Sequence, residues 1–135
     1  MSKPQIVMTF GTFDMFHPGH LYYLSEAKKL GEHLITVVAR DSTVLEIKGK
    51  NPRETEKMRL KKVGECGYVD EVILGSENNH YAVIGDKKPT ILCFGYDQRS
   101  FNNEKLDAYL EKNHLNPEII TLSAFEPEKW KSSKL

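Results

Sequence analysis

The sequence predicts an α/β fold in which a parallel five-stranded sheet is covered by helices on both faces. Short apolar, β-branched segments alternate with amphipathic or charged segments along the 135 residues. That alternation is typical of βαβ units, whose crossover helices cover both faces of a parallel sheet. The connections are short, and no linker or repeat interrupts the chain. We therefore expect a single domain spanning residues 1–135.

The predicted strands are short runs of apolar residues. The first, QIVMTF at residues 5–10, is a continuous apolar run of the kind found in strands buried on both faces. HLITVVA at residues 33–39 and TILCF at residues 90–94 have the same character. The five predicted strands cover residues 5–10, 33–39, 71–75, 90–94 and 118–122.

Helices are predicted between these strands. From residue 19, leucine or alanine recurs every third residue as far as residue 30, and Gly31 is a natural C-terminal stop. Pro52 opens a charged helix that runs to about residue 66, with Met58 and Val63 facing inward. Two further helices are predicted, at residues 78–85 and in the amphipathic segment 103–114. The polar stretch at residues 40–50 is predicted as a loop.

The composition excludes several classes of protein. Lysine and arginine number 19, as do aspartate and glutamate, so the net charge of zero gives no global attraction to nucleic acid or to an anionic membrane. No apolar run approaches the ~18–20 residues that cross a bilayer, and the N-terminus lacks a signal-peptide layout. Cys66 and Cys93 are too few for a disulfide framework. We expect reduced thiols and a cytoplasmic location.

The segment GTFDMFHPGH, residues 11–20, is the strongest candidate for a functional site. Gly11 lets the backbone turn where a Cβ would clash, and Pro18 suits the first turn of a helix. His17 and His20 therefore flank a helix N-terminus, where free N–H groups and the helix dipole bind anions, most often phosphate. Asp14 is placed to cap this helix or to help hold a metal ion.

Two other interpretations of the histidine pair are weaker. The histidines would be ordinary turn residues if they occurred singly, but a pair around Gly19 at a strand-to-helix junction favours a site. A zinc centre would need a third and a fourth ligand, and the sequence offers none at a suitable spacing.

The basic stretch between residues 48 and 62 is the second candidate. It contains seven lysines or arginines and two glutamates in an otherwise neutral chain. Most of these side chains are typical of a solvated helix face, but Lys48 and Lys50 follow the second strand in a segment that contains Gly49. We expect Lys48 to reach a phosphate as a point charge. Arg59 is expected on the helix face that meets the site.

The segment GYDQ, which follows the fourth strand, is the third candidate. Gly95 permits a ligand to approach the backbone, and Asp97 can accept hydrogen bonds from a sugar or a base. An ordinary turn remains the alternative. Because ligands of parallel α/β sheets bind at the carboxyl ends of the strands, we expect the segments after strands one, two and four to converge there.

These residues resemble a known family. GTFDMFHPGH resembles the signature of the HxGH nucleotidyltransferase, or cytidylyltransferase-like, superfamily, in which an H-x-G-H pair follows a G-x-F-D turn. The matching residues are Gly11, Phe13, Asp14, His17, Gly19 and His20. ETEKMR resembles the family's E-x-x-R helix segment through Glu56 and Arg59, and KWKSSKL resembles its C-terminal S/T-S/T-K segment.

The resemblance implies a Rossmann-like fold and a nucleotidyl transfer. A phosphate of the acceptor attacks the α-phosphorus of a nucleoside triphosphate, and pyrophosphate leaves with Mg²⁺ or another divalent cation. In that family pattern His17 and His20 hold the triphosphate and stabilise the transition state, while Lys48 neutralises phosphates. The implied nucleotide-binding residues are Thr12, Phe13, Gly19, His20, Arg59, Gly95, Asp97, Ser132 and Ser133.

Within the superfamily, VVARDSTVLEIKGKNP and GYDQRSF look most like archaeal-type FAD synthetases, which transfer the adenylyl group of ATP to FMN. Glycerol-3-phosphate cytidylyltransferases, which use CTP, also carry H-x-G-H and are the alternative. Relatives imply a homodimer. An apolar slot for a flavin ring would draw on Phe13, Phe16, Tyr22, Tyr96 and Phe101. The alternative to an enzyme is a non-catalytic module that binds a nucleotide. Such a module would release no pyrophosphate.

Overall fold

Five parallel strands and five helices make up the fold in a computed structural model that describes residues 4–77, 79–95, 98 and 102–123. The strands are β1 (Ile6–Gly11), β2 (His33–Val38), β3 (Glu71–Leu74), β4 (Ile91–Gly95) and β5 (Glu118–Leu122). The helices are α1 (Pro18–Lys28), α2 (Asp41–Lys48), α3 (Glu56–Gly64), α4 (Ala82–Lys87) and α5 (Glu104–Lys112). The predicted parallel five-stranded α/β sheet is confirmed.

The strand order is β3-β2-β1-β4-β5, with β1 in the centre. The chain builds outward from β1 to β3 on one side and then crosses to β4 and β5 on the other. β1 pairs with both β2 and β4, so the order reverses at the carboxyl end of β1. In a parallel sheet the loops on the two sides of such a point diverge and leave a crevice, which is where ligands bind.

Apolar side chains of successive strand residues enter opposite faces of the sheet. Met8, Phe10 and Phe94 pack on the face that α4 and α5 cover, where the rings of Phe10 and Phe94 stack at 5.3 Å. Val7 and Cys93 pack on the other face, together with residues of α1. Because both faces are covered, these strands are continuously apolar, which is the pattern that identified them in the sequence.

Three sequence predictions of local structure are wrong. Residues 41–48 form helix α2 rather than a loop, and Gly49 ends it in the left-handed conformation, with φ of 77°. Helix α3 begins at Glu56, where the Thr55 hydroxyl accepts the Met58 N–H, and not at Pro52. Met58 is exposed rather than inward-facing, whereas Val63 is buried as predicted. Short helices with few apolar residues leave too weak a periodicity to be recognised.

Both cysteines are free thiols, and burial raises the pKa of Cys93 to about 12. Within the described part of the chain, no helix combines the length and the apolar character that a bilayer crossing requires.

Gly11, at the end of β1, has no room for a side chain. A Cβ there would lie 2.7 Å from Cε2 of the Phe13 ring. We predict that Gly11→Ala lowers the free energy of unfolding by about 1–3 kcal/mol, because the buried ring must shift. Gly67→Ala is the matched control, since nothing lies within 4 Å of the Cβ that it adds. Urea unfolding of both variants tests this, and equal stability of the two would contradict it.

Candidate active site

A cleft of about 620 Å³ lies at the carboxyl ends of the strands. The predicted convergence is observed, because residues that follow β1, β2 and β4 all line this cleft. The sequence-predicted residues that line it are Thr12, Phe13, Asp14, His17, Gly19, His20, Lys48 and Gly95. Its volume is in the range of ordinary ligand sites.

His17 and His20 stack their rings at 3.7 Å at the start of α1. His17 is the N-cap, and its Nδ1 accepts the Gly19 N–H at 3.1 Å, while Nδ1 of His20 accepts the His17 N–H at 3.2 Å. An imidazole nitrogen that accepts a hydrogen bond carries no proton, so in both neutral rings the proton is on Nε2. The pair therefore offers two N–H donors beside the positive end of a helix, which suits an anion.

The environment of His20 keeps its ring neutral. Burial lowers the pKa of His20 to about 4, and the neighbouring His17 imidazole and the charge of Lys48 act in the same direction. Asp14 opposes this shift. The ring of Phe13 packs edge-on against that of His20 at 5.3 Å, which supplies part of the burial. At neutral pH, His20 is therefore a hydrogen-bond donor and not a cation.

Lys48 is the last residue of α2 and lines the cleft. It supplies the positive charge that the neutral His20 does not. Lys50, two residues further along, is not among the cleft residues. The turn at Gly49 therefore separates a lysine that faces the site from one that does not.

Asp14 holds a loop rather than capping α1, a role that His17 takes. Its two carboxylate oxygens accept the N–H groups of Arg53 at 2.8 Å and Glu54 at 3.0 Å. Burial by itself would raise the pKa of Asp14, but these two hydrogen bonds and the charges of Arg59 and Arg53 outweigh it and leave the pKa lowered. The Glu54 carboxylate in turn accepts the Met15 N–H at 2.9 Å. This exchange fixes the turn in which Phe13 and Met15 have positive φ, 56° and 53°.

Arg59 does not line the cleft, which corrects the expectation that it lies on a helix face that meets the site. It is 0% exposed, and its guanidinium donates to the carbonyl oxygens of Thr12, Ala39 and Glu54 and to the Asp41 carboxylate. The distances are 2.6–3.0 Å. The guanidinium therefore donates its hydrogen bonds to these four protein groups, and its role is structural.

Phe13 also has a structural role, because it belongs to a core cluster. Its ring is 2% exposed and packs with Leu24, Val38 and Val63 beneath the start of α1. Phe16 packs against the same cluster. Among the described residues of the expected aromatic slot, Phe13 and Tyr22 line the cleft and Phe16 does not.

Gln98 is a cleft residue that the sequence analysis did not single out. Its Nε2 donates to the Phe10 carbonyl at 2.7 Å, and its Oε1 accepts the Gly95 N–H at 2.7 Å. Tyr23 donates to the Cys93 carbonyl at 2.8 Å and also contacts Gln98. These bonds hold the ends of β1 and β4 where they diverge. The sequence feature that could have identified Gln98 is its place beside Asp97, but only Asp97 was taken as a candidate binding residue.

Ser76, His80 and Ser123 are further cleft residues that the sequence analysis missed. For the two serines the sequence feature was position alone, since Ser76 lies two residues after β3 and Ser123 directly follows β5. The predicted residues Asp97, Ser132 and Ser133, and the aromatic residues Tyr96 and Phe101, lie outside the described residues.

The residues described offer no cluster of three or more His, Cys, Asp or Glu side chains that could hold a metal ion. Asp14 alone has carboxylate oxygens along the cleft wall near the histidines, and both already accept backbone hydrogen bonds. Asp14 is therefore the one carboxylate among the described cleft residues.

A parallel sheet with paired histidines and a helix N-terminus at its central switch point is typical of α/β proteins that bind phosphate groups. Comparison with known proteins identifies the family. The model of the family described as Cytidylyltransferase-like matches residues 8–135, and the chain belongs to that family. The suspected resemblance is confirmed.

Among curated relatives, the FAD synthase of Methanohalobium evestigatum is 42% identical over 118 residues, covering 87% of this chain and 76% of that protein. The FAD synthase of Thermoplasma volcanium is 39% identical over 129 residues, covering 96% of this chain and 89% of that protein. A crystal structure described as the lipopolysaccharide core biosynthesis protein from Thermoplasma volcanium superposes with a TM-score of 0.85. It is 39% identical, over 92% of this chain and 100% of that chain.

The low pKa of His20 gives a testable titration. We predict a midpoint of about 4 for the His20 ring in NMR, against 6.5 for an unperturbed imidazole. Because the unfolded chain then takes up this proton at the higher pH, the free energy of unfolding should fall as the pH drops from about 6.5 to about 4. His20→Gln is the control, and its stability should fall less over that interval. A midpoint of 6 or above would contradict the neutral ring.

Proposed function

We propose that this chain transfers the adenylyl group of ATP to the phosphate of FMN, forming FAD and pyrophosphate. The observation that carries the proposal is the pair of Nε2–H donors at the start of α1, in the centre of a cleft that extends to both sides. The names of the relatives, FAD synthase in several archaea at 36–42% identity, give the substrates.

The reaction needs no nucleophile from the protein. A phosphate oxygen of FMN attacks the α-phosphorus of ATP, the bond from that phosphorus to the bridging oxygen breaks, and the electron pair leaves with pyrophosphate. Negative charge shifts onto the leaving group and the phosphoryl oxygens. Donors that are already oriented stabilise such charge without reorganising. His17 and His20 supply Nε2–H donors at the positive end of the α1 dipole, and Lys48 supplies a positive charge.

Mg²⁺ belongs to this proposal as part of the substrate. It would arrive bound to the triphosphate and neutralise the departing pyrophosphate, with Asp14 as the nearest candidate for a further contact. The proposal retains four of the nucleotide-binding residues that the family resemblance implies, namely Gly95, Asp97, Ser132 and Ser133. The homodimer and the cytoplasmic location also stay predictions.

The first test is the mass of the product. We predict that the protein, incubated with Mg²⁺, ATP, CTP, FMN, glycerol 3-phosphate and a sugar phosphate, forms FAD with one pyrophosphate for each FAD. CDP-glycerol or a nucleotide sugar in its place would overturn the FMN assignment. Binding of nucleotide without any release of pyrophosphate would favour a non-catalytic module.

The second test separates the two roles of His17. We predict that His17→Asn lowers kcat by about 100-fold or more while the melting temperature changes little. Asparagine can cap α1 through its side-chain oxygen, but it removes the Nε2–H donor. His17→Ala should lose both roles and unfold more readily, by about 1 kcal/mol.

His114→Asn is the matched control for this second test. His114 lies after α5 with φ of 56°, a conformation that asparagine tolerates. Full activity of His17→Asn would remove His17 from the reaction.

A further inference from the structure

We propose that Val44 and Ile47 of α2, together with His80, form the slot for the flat ring of the acceptor, so that FMN occupies the β2–β3 side of the cleft. This inference rests on the proposed function and assigns residues to one of its substrates. Neither the H-x-G-H signature nor the aromatic residues of the sequence point to this wall.

The cleft-facing side of α2 carries the first observation. Val44, Ile47 and Lys48 are spaced so that they share one helix face, and all three line the cleft. Ile47 is nevertheless 44% exposed. An aliphatic side chain that is exposed inside a binding cleft gains most when an apolar ligand covers it. Lys48 on the same face places that apolar surface beside the phosphate-binding centre.

The shape of the cleft carries the second observation. The histidine pair follows the central strand, and the cleft extends from it to the β2–β3 side and to the β4–β5 side. In phosphoryl transfer the attacking and leaving oxygens lie roughly in line through the phosphorus. FMN therefore approaches opposite the departing pyrophosphate, while the adenosine extends from an equatorial oxygen of the α-phosphorus, so the flavin and the adenine occupy different parts of the cleft. The β4–β5 side presents Gly95, Gln98 and Leu122, which packs partly buried against the core, whereas the β2–β3 side presents the exposed side chain of Ile47.

The chemistry of the two rings decides which substrate takes which side. A flavin ring has a dimethylated apolar end and a polar edge with two carbonyl oxygens and an N–H group. Ile47 suits the apolar part. His80 lies in the same cleft, with Nε2 held 3.9 Å from the carboxylate of Glu46 on α2, and its imidazole can donate or accept at the polar edge.

Ile47→Ala tests the slot, with Leu45→Ala as the matched control. Leu45 is 47% exposed on the same helix but does not line the cleft. We predict that Ile47→Ala raises the KM for FMN, and the FMN dissociation constant measured by flavin fluorescence, by about tenfold. The KM for ATP should stay within about twofold, and Leu45→Ala should change neither constant. Both side chains are exposed, so neither substitution should impair folding.

The outcomes separate this inference from the proposed function. A rise in the KM for ATP instead of FMN, or equal effects of the two variants, would overturn the slot while FAD formation stood. If the unmodified protein forms no FAD, the proposed function falls and the slot falls with it.

His80 has its own pair of variants. We expect His80→Leu to raise the KM for FMN about fivefold, and His80→Gln, which keeps hydrogen-bonding capacity, to rescue most of that loss. Equal effects of the two variants would assign His80 to packing and remove it from the slot.

Discussion

The cleft depends on one buried charge, the guanidinium of Arg59. Removing a cation from water costs several kcal/mol unless its hydrogen bonds are made, so the native state is favoured only when its acceptors are in place. Those acceptors come from parts of the chain that are distant in sequence: the carbonyl of Thr12 after β1, the carbonyl of Ala39 after β2, the carbonyl of Glu54 before α3, and the Asp41 carboxylate on α2. Arg59 thus holds together the segments that form the cleft floor.

The segments around Arg59 then fix one another. The Asp41 N–H donates to the Glu56 carboxylate at 2.8 Å, and the Glu56 N–H donates to the Asp41 carboxylate at 3.3 Å, so α2 and α3 cap each other's first turns. Arg40 donates from Nε to the Gly75 carbonyl at 2.6 Å and ties the β3 end to the same place. Because α2 is set by these bonds at its N-terminus, the position of Lys48 at its other end follows from them. Asp41, Glu56 and Arg59 therefore support the site without lining the cleft.

This arrangement explains what the sequence could and could not predict. The strands could be predicted because a continuous apolar run within one short segment is enough to identify a strand buried on both faces. The histidine pair could be predicted because both residues lie at the start of the same helix. Arg59 was misplaced because a basic residue in a basic helix gives no local sign that its acceptors lie up to 47 residues away. Gln98 and His80 were missed for the same reason. Their roles depend on which strand ends become neighbours, and that follows from the strand order.

The protonation of the histidine pair connects this framework to the chemistry. Rings stacked at 3.7 Å cannot both be cations without strong repulsion, and each Nδ1 already accepts a backbone N–H. The pair therefore contributes directed hydrogen bonds, and the net positive charge comes from Lys48 and the start of α1. Neutral donors have a further advantage beside a transferring phosphoryl group. In the proposed transfer they stabilise negative charge as it develops, and they hold pyrophosphate less strongly than fixed cations do.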